Sequence, residues 1–455
     1  MTLKDMPQGY IDAVEKAADL HKAGRFDEAG RVYNDCLGYN PDDPFLLYLV
    51  GSMFLHMGMS GVAIQLLRTA VAIDATRSEA WHNLGVAYRN EEHSDRAIAS
   101  YKKGIKLDPD NSDLLAMMSG AHVNEDMAAE GAKWAKRALK VKPDNPHALN
   151  HLALCLLEQG KYAEGWKAYE NRWSIPERVK DRRHYSDTLP KWYGLPTDRL
   201  IIHGEQGLGD EILFMSCFNE VWAAEPEIEC AKRLVPLFER SFGVKCYPTD
   251  DAVKEAGVEY DNWIPMGDLP GFFRRSKEEF SKAKPFLKAD PDKVKHWRSM
   301  MESQGDGPYV LVCWAGGAKI TSQGHRNPPL PFWETLLKED ATFISGQYTA
   351  EAKAQASEWD IPHWQEAIDD LDEFAALVEA CDLVISPCQT AIHFAGGLGK
   401  ECWCVTPDKK AWRYEGDMPW YPSVKLYHKN KDWGVPFQRI SSDLRRLSRT
   451  ESKAA

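Results

Sequence analysis

Nothing in this 455-residue chain limits its fold more than a period of 34 residues near its start. Five blocks follow one another without gaps, beginning at Tyr10, Pro44, Ser78, Ser112 and Pro146. The third reads SEAWHNLGVAYRNEEHSDRAIASYKKGIKLDPDN. Each block holds two short amphipathic stretches with helical spacing. Small residues such as Gly85 and Ala97 allow the two helices to approach closely. The DPDN segment ends the second helix, because proline cannot continue one. A unit of this size cannot bury its apolar face alone, so successive units must stack.

In the third block Trp81, Leu84, Gly85, Tyr88, Ala97, Tyr101, Gly104 and Pro109 fall where a tetratricopeptide repeat (TPR) has its signature positions, and the array resembles that family. The second block keeps Gly51, Ala63 and Ala70. The fourth keeps Ala138 and Pro143 but has Ser119 and His122 at less usual positions. The first is weakest in its first helix, as capping repeats often are. The resemblance implies an α-helical superhelix whose concave face holds a protein or peptide, the competing reading being a plain scaffold for the next domain. In EGWKAYENRW, Trp166, Tyr169 and Trp173 share one helical face. This reads as a closing cap against the next domain.

From residue 174 the chain is polar and broken by prolines, a linker texture, and its basic cluster at Arg178, Lys180, Arg182 and Arg183 reads as solvated. Short β-branched runs then alternate with helical patterns: LIIHG (200–204), EIECA (227–231), PYVLVCW (308–314), TFISGQ (342–347), CDLVIS (381–386) and ECWCVTP (401–407). That alternation predicts parallel α/β sheets. Two such units, one on each side of residue 290, would face a cleft lined by the carboxyl ends of their strands, where ligands bind. The net charge of −12 argues against gripping bulk nucleic acid by its phosphates. The ten cysteines are scattered singly, without metal-ligand spacing, so no metal is expected. There is no apolar run of membrane-spanning length and no signal-peptide pattern at the start, so the expected location is cytoplasmic.

Four motifs carry the chemistry. HGEQGLGD (203–210) places Gly207 and Gly209 at a strand-to-helix turn and Asp210 at the helix mouth, as an N-cap or as a general base. SPCQTAIHFAGGLGK (386–400) opens a helix with Cys388, Gln389, Thr390 and Ala391, carries His393, and has Gly396, Gly397 and Gly399 closing it. Such a helix N-terminus suits a diphosphate. His393 reads equally as a buried core histidine. CWAGGAKITSQGHRNPPL (313–330) joins Trp314, Gly316 and Gly317 to the bases Lys319, His325 and Arg326, a loop suited to phosphate. KKAWRYEGDMPWYP (409–422) sets Arg413 among Trp412, Tyr414, Trp420 and Tyr421. Those rings would stack on a base or sugar, or pack the chain's end across the domains.

In this order the motifs resemble bacterial and phage proteins that join TPR repeats to a glycosyltransferase domain, itself similar to the lipopolysaccharide heptosyltransferases. The resemblance implies the GT-B fold of two Rossmann-like domains: repeats over 1–179, a linker at 180–199, an acceptor-side domain at 200–290, a nucleotide-sugar domain at 291–430, and a helix and tail at 431–455. It implies transfer of a sugar from a nucleotide-diphosphate-sugar to an acceptor hydroxyl, with no metal or other cofactor. Asp210 would be the base and His393 a second catalytic residue. The donor would meet Gly207, Gly209, Trp314, Gly316, Gly317, Lys319, His325, Arg326, Gln347, Cys388, Gln389, Thr390, Ala391, Gly396 and Arg413. The acceptor would be a protein, a peptide or a glycan, a modified nucleobase ranking lower. One departure stands out: many relatives have Asp-Thr where this chain has Cys388-Gln389. That favours the rival reading, a binding protein whose transferase domain has lost activity. A further rival is protein O-glycosylation on the plan of the O-GlcNAc transferases.

Overall fold

A computed structural model describes residues 7–454, apart from 124, 126, 177, 179–181, 281, 317–325, 409–411 and 415–417. The chain divides into two compact units, residues 1–155 and 156–455.

The first unit is built of antiparallel helix pairs: α1 (Gln8–Lys22) with α2 (Phe26–Tyr39), α3 (Pro44–His56) with α4 (Ser60–Ile73), α5 (Ser78–Asn90) with α6 (Ser94–Leu107), and α7 (Ser112–Val123) with α8 (Ala128–Val141). The helix α9 (Pro146–Glu158) contains the division between the units, and α10 (Tyr162–Tyr169) comes after it. The sequence sets the joints. Pro44 takes the first turn of α3, where its missing N–H costs nothing, and Asp43 caps that helix by accepting from Phe45 N at 2.9 Å. Asn111 and Asn145, each ending an inter-repeat turn, accept from Leu114 N and Ala148 N at 3.0 Å, so each of these turns stops one helix and caps the next. The small positions are sites of contact. A Cβ on Gly85 would run into the Tyr101 ring, and one on Gly51 would lie 2.8 Å from Leu67 Cγ. Tyr101 and Leu67 are fully buried in one core with Leu84, Leu114 and Met118.

The second unit holds two all-parallel sheets. One has the order β3-β2-β1-β4, with β1 Thr197–His203, β2 Ala223–Glu229, β3 Cys246–Tyr247 and β4 Asn262–Pro265. The other has the order β6-β5-β7-β8-β9, with β5 Tyr309–Val312, β6 Thr342–Ser345, β7 Leu383–Pro387, β8 Cys402–Thr406 and β9 Val424–His428. β5, β7 and β8 are buried along their whole length, which is why they are continuously apolar rather than alternating. The last helix, Gly434–Ala454, packs Phe437, Ile440 and Leu444 into the second sheet's core.

Trp166 belongs to the second unit's core: its indole N–H donates to Arg274 O at 2.8 Å, and its ring meets Trp420 edge-on. The segment after it corrects the solvated-linker expectation. Arg183 binds both carboxylate oxygens of Glu229 through Nε, at 2.8 and 2.7 Å. Tyr185 and Trp192 are buried, and Lys191 bridges to Trp263 on β4. Arg182 is exposed, and Lys180 lies outside the described residues.

Candidate functional site

The first turn leaves β1. That strand ends at His203, which stacks on Trp263 and is kept neutral by burial. The chain then turns tightly, with Gln206 at a φ of 68° and Gly207 at the N-cap of α11 (Leu208–Met215). No side chain caps α11. Gly204 must lack a side chain, because a Cβ there would lie 2.7 Å from a Glu211 carboxylate oxygen. Glu211 is buried, accepts from Ala231 N at 2.9 Å, and has its pKa lifted to about 7 by burial, with Glu229 and Asp210 adding to the rise.

The second turn leaves β7. Gln389 precedes the helix Thr390–Leu398 without capping it; its amide donates instead to Ser386 Oγ at 2.9 Å. The first amides of that helix therefore have no side-chain cap. This helix and α11 pack together: a Cβ on Gly209 would come within 2.8 Å of His393 Cδ2 and 3.5 Å of Thr390 Oγ1. Arg413, on a short 3-10 turn at Trp412–Tyr414, forms an ion pair with Asp210 and reaches Gln206 Oε1 at 3.5 Å. Elements of both sheets thus bring Asp210, Gly209, Thr390 and Arg413 to one seam.

His393 is not open to a ligand, a correction to its reading as a catalytic group. It is buried, with Nδ1 against Tyr421 Oη at 3.1 Å and Nε2 against Tyr414 Oη at 3.3 Å. Burial lowers its pKa to about 4, so the ring is neutral and positions the two tyrosines. Tyr414, Trp420 and Tyr421 are buried too, so that segment packs the chain's end rather than offering rings to a base. Gly396 corrects similarly: a side chain there would enter the Tyr421 ring. The helix does not close at Gly396 and Gly397 but runs through both to a left-handed Gly399. Gly397 O accepts from Phe286 N and Leu287 N, at 2.8 and 2.9 Å, binding the segment between the sheets.

In the third motif Trp314 is core. It donates its indole N–H to Gln355 at 2.5 Å and packs edge-on to Trp359. Gln347 is fully buried and spent on the backbone, accepting from Trp314 N at 2.8 Å and Ala315 N at 3.0 Å and donating to Ala315 O at 2.8 Å. Both shape the loop instead of meeting a ligand. The Cys388 thiol is buried and faces Cys404 of β8 at 3.8 Å. Gly316 lies against Gln389 and donates its N–H to Asn327 at 3.0 Å. Arg326 is half-buried and near enough to Tyr414 to act on it electrostatically. Ala391 is buried in the first turn of its helix. Gly317, Lys319 and His325 lie outside the described residues. Among the described residues no three His, Cys, Asp or Glu side chains gather as metal ligands would.

Arg172 was not singled out from the sequence, yet it anchors the first turn. It is fully buried and forks onto Glu205, with Nε to Oε2 at 2.8 Å, while Nη1 reaches Asp268 at 2.5 Å and Tyr169 O at 3.1 Å. Burial opposes its charge, but Asp268 and Glu205 outweigh it and hold the guanidinium ionised. Burial likewise works against the Glu205 carboxylate, and Arg172 more than offsets this. Lys191 closes the network on Asp268 at 2.6 Å. A signal was present: Arg172 sits inside the aromatic cluster between Tyr169 and Trp173, where an unpaired arginine would be costly.

Fold and site together define a helical-repeat protein with a two-sheet parallel α/β region. Comparison with known proteins gives the repeats their name: residues 78–111 and 128–174 each match a tetratricopeptide repeat model. Protein FlbA of Caulobacter vibrioides is 28% identical over 470 residues, spanning 96% of this chain and 73% of FlbA, so that match runs through the α/β region as well. Tetratricopeptide repeat protein 7A of Homo sapiens is 31% identical over 75 residues, 16% of this chain and 9% of that protein. Among solved structures, MamA is 21% identical over 36% of this chain and 96% of its own, with a TM-score of 0.32. A thermophilic TPR protein of Thermus thermophilus, TTC0263, is also 21% identical, over 38% of this chain and 94% of its own, at 0.33. Among the described residues no helix is long and apolar enough to cross a membrane.

Proposed function

We propose that this TPR protein is a metal-independent GT-B glycosyltransferase that takes its sugar from a nucleotide-diphosphate-sugar, its repeats recruiting a protein or peptide partner or the acceptor itself. One observation carries the reading: the uncapped α11 of one sheet and the uncapped Thr390 helix of the other meet at Gly209 and Thr390, with Asp210 at the seam. The Thr390 and Ala391 amides and the helix dipole would neutralise the donor diphosphate, with Arg326 supplying charge. The acceptor oxygen would attack the anomeric carbon as the bond to phosphate breaks. The acceptor proton would pass to Asp210, and the nucleoside diphosphate would leave. Arg413, which pairs with Asp210 at rest, would turn to the departing phosphate. His393, Tyr414 and Tyr421 hold this frame.

A second reading is favoured by the same ion pair. A base locked to an arginine suits a binding protein whose α/β region no longer reacts. Thermal unfolding against nucleoside diphosphates and nucleotide-sugars separates the two, since a ligand of the folded state raises the midpoint with concentration. The transferase reading expects a shift for one nucleotide class, lost in Arg326→Ala. Asp210→Asn should keep the shift and lose transfer. No shift across the panel would leave the binding protein.

A further inference from the structure

A cavity of about 390 Å³ opens beside the first turn, lined by Trp173, Arg178, Arg183, Gly204, Glu205, Gln206 and Glu211. It falls within the ~300–1,000 Å³ typical of small-molecule sites. Its donors are not all used. Trp173 Nε1 and Arg178 Nη1 are both buried, and neither has a hydrogen-bond partner among the described residues. Two orphan donors on one cavity wall call for an acceptor, since each buried polar group left unmade is costly. The charges on the other walls are already balanced. Arg183 is held by Glu229, and the lining carboxylate of Glu205 by Arg172. Glu211, with its pKa lifted to about 7, carries about half a negative charge at pH 7 and less below it. What remains is the Arg178 cation and an indole N–H with its ring, since the Gln206 amide already donates to Tyr169 Oη at 2.7 Å and to Glu205 Oε2 at 3.2 Å.

We infer that this cavity binds a small hydroxylated acid, a monosaccharide bearing one carboxylate or phosphate, with the anion on Arg178 and the Trp173 N–H and the sugar against the Trp173 ring. Gln206 links the cavity to Arg413, the partner of Asp210. Calling the ligand an acceptor, or the end of one, rests on the transferase reading; that the cavity takes a sugar anion does not.

Titration calorimetry on the full chain tests it, with D-glucuronate, D-glucose 1-phosphate, D-glucose and inorganic phosphate as probes and a nucleoside diphosphate titrated separately. At least one sugar anion should bind, and the stronger of the two identifies the oxyanion. Glucose should bind at least about tenfold more weakly. Arg178→Ala should lose about tenfold in affinity for the anion, and Trp173→Phe, which keeps a ring but removes the N–H, about threefold. Circular dichroism checks that both variants stay folded. Glucose binding as well as the anions, Arg178→Ala binding like wild type, or no sugar anion binding at millimolar concentration would each overturn the inference. Inorganic phosphate binding as tightly as glucose 1-phosphate would remove the sugar from it. A silent nucleoside diphosphate beside a bound sugar anion would instead count against the transferase reading alone.

Discussion

At the scale of single residues, the second unit depends on charges that only their partners make tolerable. Arg172 has no exposure and three carboxylate contacts from Glu205 and Asp268. Removing one member of a buried ionic network strands the others, at a cost of about 3–5 kcal/mol, far more than a surface pair is worth. Arg172→Ala should lower unfolding stability by that order, measured by urea denaturation. A loss below about 1 kcal/mol would mean that the network is hydrated. Glu211 makes a different forecast. Its folded pKa of about 7 stands above the ordinary 4.5, with burial the main cause. The folded state therefore holds a proton that the unfolded chain has released, and unfolding free energy falls as pH rises from about 4.5 to about 7. Below that window the contribution is complete, and above it the contribution is lost. Glu229 on β2, Asp210 beside it on α11 and Arg183 on the packed segment are the charges that share its surroundings. Glu211→Gln keeps an acceptor for Ala231 N and cannot ionise. Its stability should fall less steeply than wild type across this window, the two curves separating by an order of 2–3 kcal/mol. Parallel curves would show that the carboxyl is solvated.

At the scale of elements, what could be read in advance was whatever local chemistry decides. The helices α3, α5, α7 and α9 begin at Pro44, Ser78, Ser112 and Pro146 because the repeat period, the prolines and the capping residues act within a few positions of each other. Six strands were legible as β-branched runs. β4 and β9 were not. Asn262–Pro265 carries an asparagine and ends in proline, and Val424–His428 breaks its apolar run with the exposed Lys425. Their strand character comes from the neighbour each pairs with. The site was legible as motifs and illegible as contacts. The sequence shows that His393 lies in a helix after a strand, but not that Tyr414 and Tyr421 return to engage both of its nitrogens. Nor could it show that Gln347 would spend its amide on the Trp314 loop, or that Arg183, in the basic stretch after Trp173, would pair with Glu229 on the first sheet rather than face solvent. Each of these depends on residues tens of positions apart meeting after folding.

At the scale of the whole molecule, the two compact units have separate cores. Tyr101, Leu67 and Leu114 belong to one, and Trp314, Ile385, Val405 and Ile440 to another. Units with cores of their own can unfold as separate cooperative transitions. One variant in each makes the test. In the repeats, Gly85→Ala forces a Cβ into the ring of Tyr101, which is fully buried and has no room to withdraw, an overpacking that costs about 1–3 kcal/mol. In the second unit, Arg172→Ala strands Glu205 and Asp268. Calorimetry should resolve two transitions, with Gly85→Ala lowering one and Arg172→Ala the other. Adding the nucleotide or sugar anion found to bind should raise only the transition that Arg172→Ala lowers, because every residue assigned to those sites lies between 173 and 413. A single transition moved equally by both variants would mean that repeats and α/β region fold as one cooperative body. In that case a partner held by the repeats could alter the stability of the seam at Asp210 through the folding equilibrium itself.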